Sequence, residues 1–305
     1  MNGKMVFMID FNEMFMFAKV IECGGFLAAS KKFGIPKSTL SRKISALEQR
    51  LNVRLIQRST RNIMITEIGK EYYQYCVQMI AAAEKAESLI NNKSDQPTGK
   101  IRITCPTILM DLGLSKTLAK FMQAYPEVVL QVKIFNRDVD IIAEGYDISF
   151  QLMGKESKNS NLIMRKIADI SSSFMLNPAG RIHPNQVQKP SDLHQLPTVG
   201  WLSSHFQSAW TFNKEGREVK ISNESCLVCD DIRLLKEAIL CGRATGCLPL
   251  KLARQEIHDG TLTTVLNDWQ LEPRKIVAIY PSRQGLLPAV RALIDFVVED
   301  FAQDG

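Results

Sequence analysis

The stretch Lys31–Arg61 reads KKFGIPKSTLSRKISALEQRLNVRLIQRSTR. It holds nine Lys or Arg (Lys31, Lys32, Lys37, Arg42, Lys43, Arg50, Arg54, Arg58 and Arg61) against one acid, Glu48. Its apolar residues still keep helical spacing. Leu40, Ile44, Leu47 and Leu51 fall at intervals of 4, 3 and 4, one stripe of an α-helix. The opposite face begins with Ser38, Arg42 and Ser45, and Lys37, Thr39 and Ser41 flank its N-terminal end. Such a helix docks its stripe on its own domain and leaves small polar and basic side chains outside.

The flanks give this helix a setting. Gly34 supplies a tight turn because it tolerates positive φ, and Pro36 stands where a helix begins. Before the turn, Phe26–Phe33 reads as a short helix whose Ala28 and Ala29 allow close approach. Earlier still, Asp10 caps a first helix with Phe11, Met14, Phe15, Ala18 and Ile21 on one side, ended by Gly24-Gly25. After Leu51, VRLIQRSTRNIMIT alternates partly around the polar tip RSTRN and reads as a small hairpin. Short helix, glycine turn, second helix and basic hairpin make a winged helix-turn-helix. In that motif the second helix enters the DNA major groove N-terminus first. Arg42 can fork onto guanine O6 and N7, and Ser or Thr hydroxyls can touch base edges or phosphate. Arg54, Arg58 and Arg61 would neutralise phosphates. The candidate DNA-contacting set is Lys32, Lys37, Ser38, Thr39, Ser41, Arg42, Arg54, Arg58 and Arg61.

Composition agrees with a local polyanion site. A chain of 305 residues is too long for one ordinary core and implies two or three domains. Apolar content of 45% and charged content of 23% are those of a soluble globular protein. Net charge is +6, but residues 31–61 alone carry +8, so the remainder sums to −2. Charge alone would read as a solvated surface; the helical arrangement is what points to a nucleic acid meeting one module. The N-terminal MNGKMVFMID has too short an apolar run for a signal peptide, and no run is long enough to span a membrane. The odd count of seven cysteines fits reduced thiols in a cytoplasmic protein better than a disulfide framework.

Thr66 can cap a long fourth helix running to about Asn91. Along it Tyr72, Cys76, Met79, Ala83, Ala86 and Ile90 follow spacings of 4, 3, 4, 3 and 4, a heptad seam. The seam leads into the polar linker NNKSDQPTGK, so pairing between subunits is favoured over packing on its own domain. From Lys100 the rhythm changes. KIRITC, VVLQVKIF and DISFQL read as strands, with helices across DLGLSKTLAKFMQAYP and RDVDIIAEGY. A second series runs from SSSFML through PTVGWL and the helix in DIRLLKEAILCG to KIVAIY, and LLPAVRALIDFVVEDF closes the chain as a helix. Strands alternating with helices predict mainly parallel sheets, here in two lobes.

At this point the residues resemble a family. Ala28-Ala29, Pro36-Lys37-Ser38-Thr39-Leu40-Ser41-Arg42-Lys43-Ile44, Leu47-Glu48, Leu51 and Thr66-x-x-Gly69 are similar to the N-terminal signature of LysR-type bacterial transcription regulators. LKEAILCGRATGCLPLKLARQEIHDGTLTTVLNDW resembles that family's C-terminal run of helix, Gly turn, Leu-Pro, helix and Gly-x-Leu. The resemblance spans nearly the whole chain. It implies a winged helix-turn-helix over residues 1–66, a linker and dimerisation helix over 67–92, and a hinge over 93–100. A two-lobed, periplasmic-binding-protein-like α/β effector domain over 101–305 would follow, with lobes of about 101–167 plus 276–305 and 168–275. It also implies a homodimer, further assembled to a homotetramer. Three positions depart from the pattern: Gly25 for Ser, Leu55-Ile56 for Leu-Phe, and Ala244 for a second Gly. The last bears on the backbone of a turn beside the cleft.

Other chemistry is weaker. Cys226-x-x-Cys229 is a lone CxxC with no second pair to complete a zinc site, and Cys241 and Cys247 flank a turn. His183, His194 and His205 recur every eleven residues, but Pro184, Pro190 and Pro197 break any helix aligning them. There is no phosphate loop, nucleophile elbow or His-Glu metal motif. No metal or cofactor is expected, and no enzymatic activity. By resemblance, the loop Thr104-Cys105-Pro106-Thr107 faces the cleft, where its hydroxyls and the next helix N-terminus suit an anion. Phe135, Asn136, Gln151 beside Phe150, and Trp201 are further effector candidates, the alternative being that they pack the lobe interface. Cys105 makes a thiol signal a variant. The leading function is a sequence-specific DNA-binding regulator controlled by a small molecule of unstated identity. The alternatives are a cytoplasmic thiol redox enzyme using Cys226 and Cys229, or a plain solute-binding protein. Neither needs the basic module.

Overall fold

The computed structural model describes residues 9–58, 63–91, 97–154, 162–202, 208–281 and 287–303. Arg61 and His205 lie outside them, as do the side chains of Arg58 and Ile90. The described residues divide into two compact units: those within 9–91 together with 139–146, and those within 97–138 and 147–303.

The first unit runs α1 (Phe11–Glu22), α2 (Phe26–Phe33), α3 (Lys37–Leu51), β1 (Ile56–Arg58), β2 (Ile63–Ile65) and α4 (Glu67–Asn91). Asp10 caps α1 by accepting from the Asn12 and Glu13 amides at 2.9 and 3.3 Å, which satisfies donors a helix start leaves free. The buried side of α1 differs from the expected stripe. Phe17 and Val20 are fully buried with Ala18, whereas Phe11 is 60% exposed. Gly34 closes α2 in the left-handed conformation, φ 68°, and Pro36 stands at the N-cap of α3, its carbonyl accepting from Thr39 and Leu40. The α3 stripe packs as its spacing requires: Leu40, Ile44 and Leu47 are buried against Phe17, Ala29, Leu55 and Ile56. β1 and β2 pair antiparallel as the wing, Ile56 opposite Ile65.

Two polar contacts fasten the wing to the helices. The Glu48 side chain is almost wholly buried and accepts from the Leu55 and Ile56 amides at 2.8 and 2.9 Å. The Thr66 hydroxyl donates to the Arg54 carbonyl at 2.8 Å and accepts from the Gly69 amide at 3.0 Å, capping α4. A Cβ on Gly69 would lie 2.2 Å from the Leu55 carbonyl oxygen. The Thr-x-x-Gly spacing is therefore a close approach of α4 to the backbone that leads into the wing.

The second unit contains β3 (Gly99–Cys105), α5 (Thr107–Leu109), α6 (Ser115–Ala124), β4 (Val128–Ile134), β5 (Ile148–Met153), β6 (Ile163–Ile170), β7 (Ser172–Leu176), β8 (Thr198–Trp201), β9 (Ser208–Lys214), β10 (Arg217–Asn223) and β11 (Leu227–Cys229). There follow α7 (Ile232–Leu240), β12 (Thr245–Pro249), α8 (Leu250–His258), β13 (Thr263–Val265), β14 (Gln270–Leu271), β15 (Arg274–Tyr280) and α9 (Pro288–Gln303). A π-helical turn, Met110–Leu114, joins α5 to α6.

Its strands make two lobes. In the first the order is β4–β3–β5–β15–β6, and in the second β11–β8–β12–β7–β13; a small antiparallel sheet, β10–β9–β14, attaches to the latter. The chain crosses between lobes at Ser171 and again at Glu272-Pro273. The expectation of mainly parallel sheets needs correcting. β3 is parallel to β4 and β5, but β15 runs antiparallel to β5 and β6, and β7 antiparallel to β12 and β13. The returning strand β15 comes from the other lobe, so it enters the first sheet from its far end. RDVDIIAEGY is a turn, not a helix. Asp140 accepts from the Ile142 and Ala143 amides at 3.0 and 2.9 Å, and Gly145 adopts φ 70°, a side-chain-closed turn that competes with helix formation. In α9, Leu293 and Val297 are fully buried against the first sheet's core.

Candidate nucleic-acid interface and effector cleft

The basic side chains of residues 31–61 fall into two groups. Lys43 donates to Asp10 at 2.9 Å, and Arg50 donates twice to the largely buried Glu13 at 3.2 and 3.3 Å. These two cations tie α3 to α1. The Lys43 hydrogen bond also holds the Asp10 carboxyl below the usual carboxylate range. Lys32 lies 3.8 Å from Glu22 and stacks over Phe33. By contrast Lys37, Ser38, Arg42 and Arg54 are exposed, and Thr39 and Ser41 half-exposed. The Arg42 guanidinium has no ion pair or hydrogen bond among the described residues. The N-terminal half of α3 thus presents an unspent cation among small hydroxyls, an arrangement suited to base edges.

The predicted seam on α4 requires a correction. Cys76 is fully buried, its thiol pushed up to about 12 by burial. Tyr72 stacks on Phe17 with ring centroids 5.8 Å apart, and Met79 packs on the same core. These three residues cover their own unit, because the same 4-3-4 spacing that serves a partner helix serves α1 equally well. Ala83 and Ala86 remain exposed. A second stripe, Ile68, Tyr75, Ala82 and Ala86, lies open on α4, with Tyr75 65% exposed.

Between the lobes of the second unit lies a cavity of about 260 Å³. Ile108 and Leu152 line it from the first lobe, and Trp201, Trp210, Ile232 and Leu235 from the second. Ser172, Glu272 and Arg274 line it beside the two chain crossings, and Cys247 completes the wall there. Of the predicted effector residues only Trp201 is part of this wall. Thr104 and Cys105 are each 1% exposed within β3, and burial raises the Cys105 thiol to about 12. Both are sealed by neighbouring strands, which removes them from the cleft surface and Cys105 from thiolate chemistry. Gln151 is half-buried and donates to the Ser149 hydroxyl at 3.1 Å. Phe135 carries Arg137 over its ring at 4.5 Å.

Thr107 and Asn136 serve the lobe junction. Asn136 Oδ1 accepts from the Thr107 amide at 3.0 Å, and its Nδ2 donates to the Asp230 carbonyl at 3.0 Å. The helix start expected to hold an anion is therefore occupied by an asparagine. Trp210 and Arg274 escaped the sequence reading. Their only signal is position, Trp210 in an alternating strand and Arg274 at the start of a strand returning between lobes. Burial pushes the Cys247 thiol up to about 11, against Arg274 and a hydrogen bond with Ser172 that act the other way. Among the described residues, no cluster of His, Cys, Asp and Glu could hold a metal ion, and no helix is long and apolar enough to cross a membrane.

A winged helix-turn-helix joined to a two-lobed α/β unit with an interlobe cavity defines a ligand-responsive DNA-binding regulator. The chain belongs to the LysR family: residues 11–70 match the bacterial regulatory helix-turn-helix protein, lysR family, and residues 94–302 match the LysR substrate binding domain. It is similar to an HTH-type transcriptional regulator of Xanthomonas campestris pv. campestris, 29% identical over 95% of this chain and 85% of the relative. It is likewise similar to the HTH-type transcriptional activator AaeR of Escherichia coli, 27% identical over 96% and 94%. Among solved structures, the full-length Vibrio cholerae virulence activator AphB matches at 26% identity and TM-score 0.62, covering 95% of this chain and 99% of AphB. The protein is accordingly a transcriptional regulator with a DNA-binding and an effector-binding domain, acting as an oligomer on DNA.

Proposed function

We propose that the protein reads DNA with the N-terminal half of α3, Arg42 contacting base edges and Lys37 and Arg54 contacting phosphates on either side. The observation that carries this reading is the division of labour on α3, where Lys43 and Arg50 are spent on Asp10 and Glu13 while Arg42 is free. Each phosphate contact contributes about −0.9 to the slope of log K against log salt. Lys37→Ala and Arg54→Ala are expected to weaken binding to operator and non-operator duplexes alike, each flattening the slope by about that amount. Titration by fluorescence anisotropy at several salt concentrations checks this. An unchanged slope in both variants removes these residues from the interface.

The open stripe Ile68, Tyr75, Ala82 and Ala86 pairs two subunits, and two such dimers build a tetramer. An exposed apolar stripe at heptad-like spacing supports the pairing. Tyr75→Glu is expected to shift the sedimenting species toward monomer and to reduce affinity for a two-half-site operator, leaving a single half-site bound as before. A wild-type sedimentation profile would move the contact elsewhere. Family membership supports the tetramer, and the same sedimentation checks it. The protein acts where the chromosome is, in the cytoplasm, and catalyses no reaction. The basic winged module, which a thiol redox enzyme built on Cys226 and Cys229 does not need, supports this reading.

A further inference from the structure

We infer that the interlobe cavity takes a small ring-bearing monocarboxylate, held among its tryptophan and aliphatic side chains with its carboxylate on Arg274. The inference rests on the reading of this cavity as the effector site and names the chemical class of the effector.

Three features of the wall set the ligand's shape and charge. The first is a rigid aromatic side. Trp210 stands edge-on to Phe174, centroids 4.9 Å apart at 83°, and Phe174 is itself 1% exposed and packed on Phe212 at 5.6 Å. Trp201 lies at the end of β8, paired in register with Cys229. Indole walls fixed in this way lose little freedom on binding and favour a planar partner. Ile108 and Leu152 from the first lobe, and Ile232 and Leu235 from the second, add only hydrocarbon to the wall.

The second feature is a single cation among the described lining residues. Arg274 lines the cavity and forms no ion pair with a described residue. Its planar fork matches two carboxylate oxygens in a way a lysine would not. Ser172 is a neutral hydroxyl in the same wall, and Cys247 is held there as a neutral thiol. Glu272, two residues from Arg274, adds a negative charge, so a second carboxylate on the ligand meets repulsion. The third feature is size. A volume of about 260 Å³ is below the roughly 300–1,000 Å³ of sites for drug-sized ligands, which admits one ring with short substituents.

The test uses the full-length protein and four probes: benzoate, benzamide, benzylamine and hexanoate. Trp201 and Trp210 line the cavity and Trp269 does not, so intrinsic fluorescence reports occupancy, with calorimetry as a second readout. Benzoate is expected to bind about ten-fold tighter than benzamide, the worth of a charge-assisted hydrogen-bond pair at a water-accessible mouth. It should also bind tighter than hexanoate, which lacks the ring. Arg274→Gln should erase the preference for benzoate while leaving benzamide affinity unchanged, and Trp201→Leu should weaken both. Equal affinity for benzoate and benzamide, tighter binding of benzylamine, or no ring compound bound at millimolar concentration overturns the inference. Retardation of duplex DNA by the same preparations separates this failure from that of the regulator reading. Protein that shifts DNA but ignores benzoate loses only the ligand class, and protein that binds benzoate but no DNA keeps the ligand class and loses the DNA interface.

Discussion

Gly69→Ala is expected to destabilise the DNA-binding unit severely and to weaken DNA retardation. The added methyl would sit 2.2 Å from the Leu55 carbonyl oxygen, 2.9 Å from Ile65 Cγ1 and 3.0 Å from the Thr66 hydroxyl that caps α4. None of these is the free end of a flexible side chain. Leu55 O is backbone at the entry to the wing, where its own amide is already fixed by Glu48 at 2.8 Å. Relief means moving α4 off the wing, which opens the core around Leu55, Ile56 and Cys76. Overpacking typically costs ~1–3 kcal/mol, and loss of the cap adds ~1 kcal/mol, together a large share of a small domain's ~5–15 kcal/mol. Thermal unfolding should show an early transition for the N-terminal unit, while near-UV signals from Trp201, Trp210 and Trp269 in the other unit persist. A single transition at the wild-type temperature would mean α4 can slide without cost.

Arg42→Ala is expected to lose discrimination between operator and scrambled DNA, by the ~1–3 kcal/mol of a bidentate base contact. The variant should fold normally, because Arg42 is exposed and the stripe that docks α3 is on the other side of the helix. Competition binding at fixed salt compares the two duplexes. A parallel fall in both affinities would make Arg42 a phosphate contact instead. Lys43→Ala provides the contrast. Its loss should affect the junction of α3 with α1 through Asp10, and touch the specificity ratio little.

Local periodicity explains what was legible in the chain. The α3 stripe, the Gly34 turn, the Asp10 and Thr66 caps and most strands are set by residues within a few positions of one another. Long-range pairing explains what was not. Lys43 and Arg50 meet acids 33 and 37 positions away, so a count of charges could not tell these spent cations from exposed ones such as Arg42. The α4 seam satisfied two partners equally by spacing, and only the fold of α1 against it decides that Tyr72, Cys76 and Met79 face inward. In the second unit, strand order is beyond periodicity. The antiparallel return of β15 puts Arg274 in the cavity wall, and β4 and β5 flank β3, where Thr104 and Cys105 are buried away from that wall. The lobe junction joins residues 94 positions apart, Asn136 and Asp230.

That junction bears on how strong a signal the protein can give. Thr107, on one side of Asn136, is followed by Ile108 in the cavity wall, and Asp230, on the other, precedes Ile232 in the opposite wall. An effector that spreads the walls strains this bridge within two residues of its own contacts, and one that draws them together tightens it. Only the Asn136–Asp230 bond crosses between the lobes, the Thr107 bond orienting the asparagine within its own lobe, and one ordinary hydrogen bond is worth about 0.5–1.5 kcal/mol net. A signal carried by this route alone therefore has a ceiling of about 0.5–1.5 kcal/mol, which corresponds to a span of roughly 2- to 13-fold between bare and loaded protein. Such a device behaves as a dimmer with limited gain, and its setting without ligand is fixed by the amide of one asparagine.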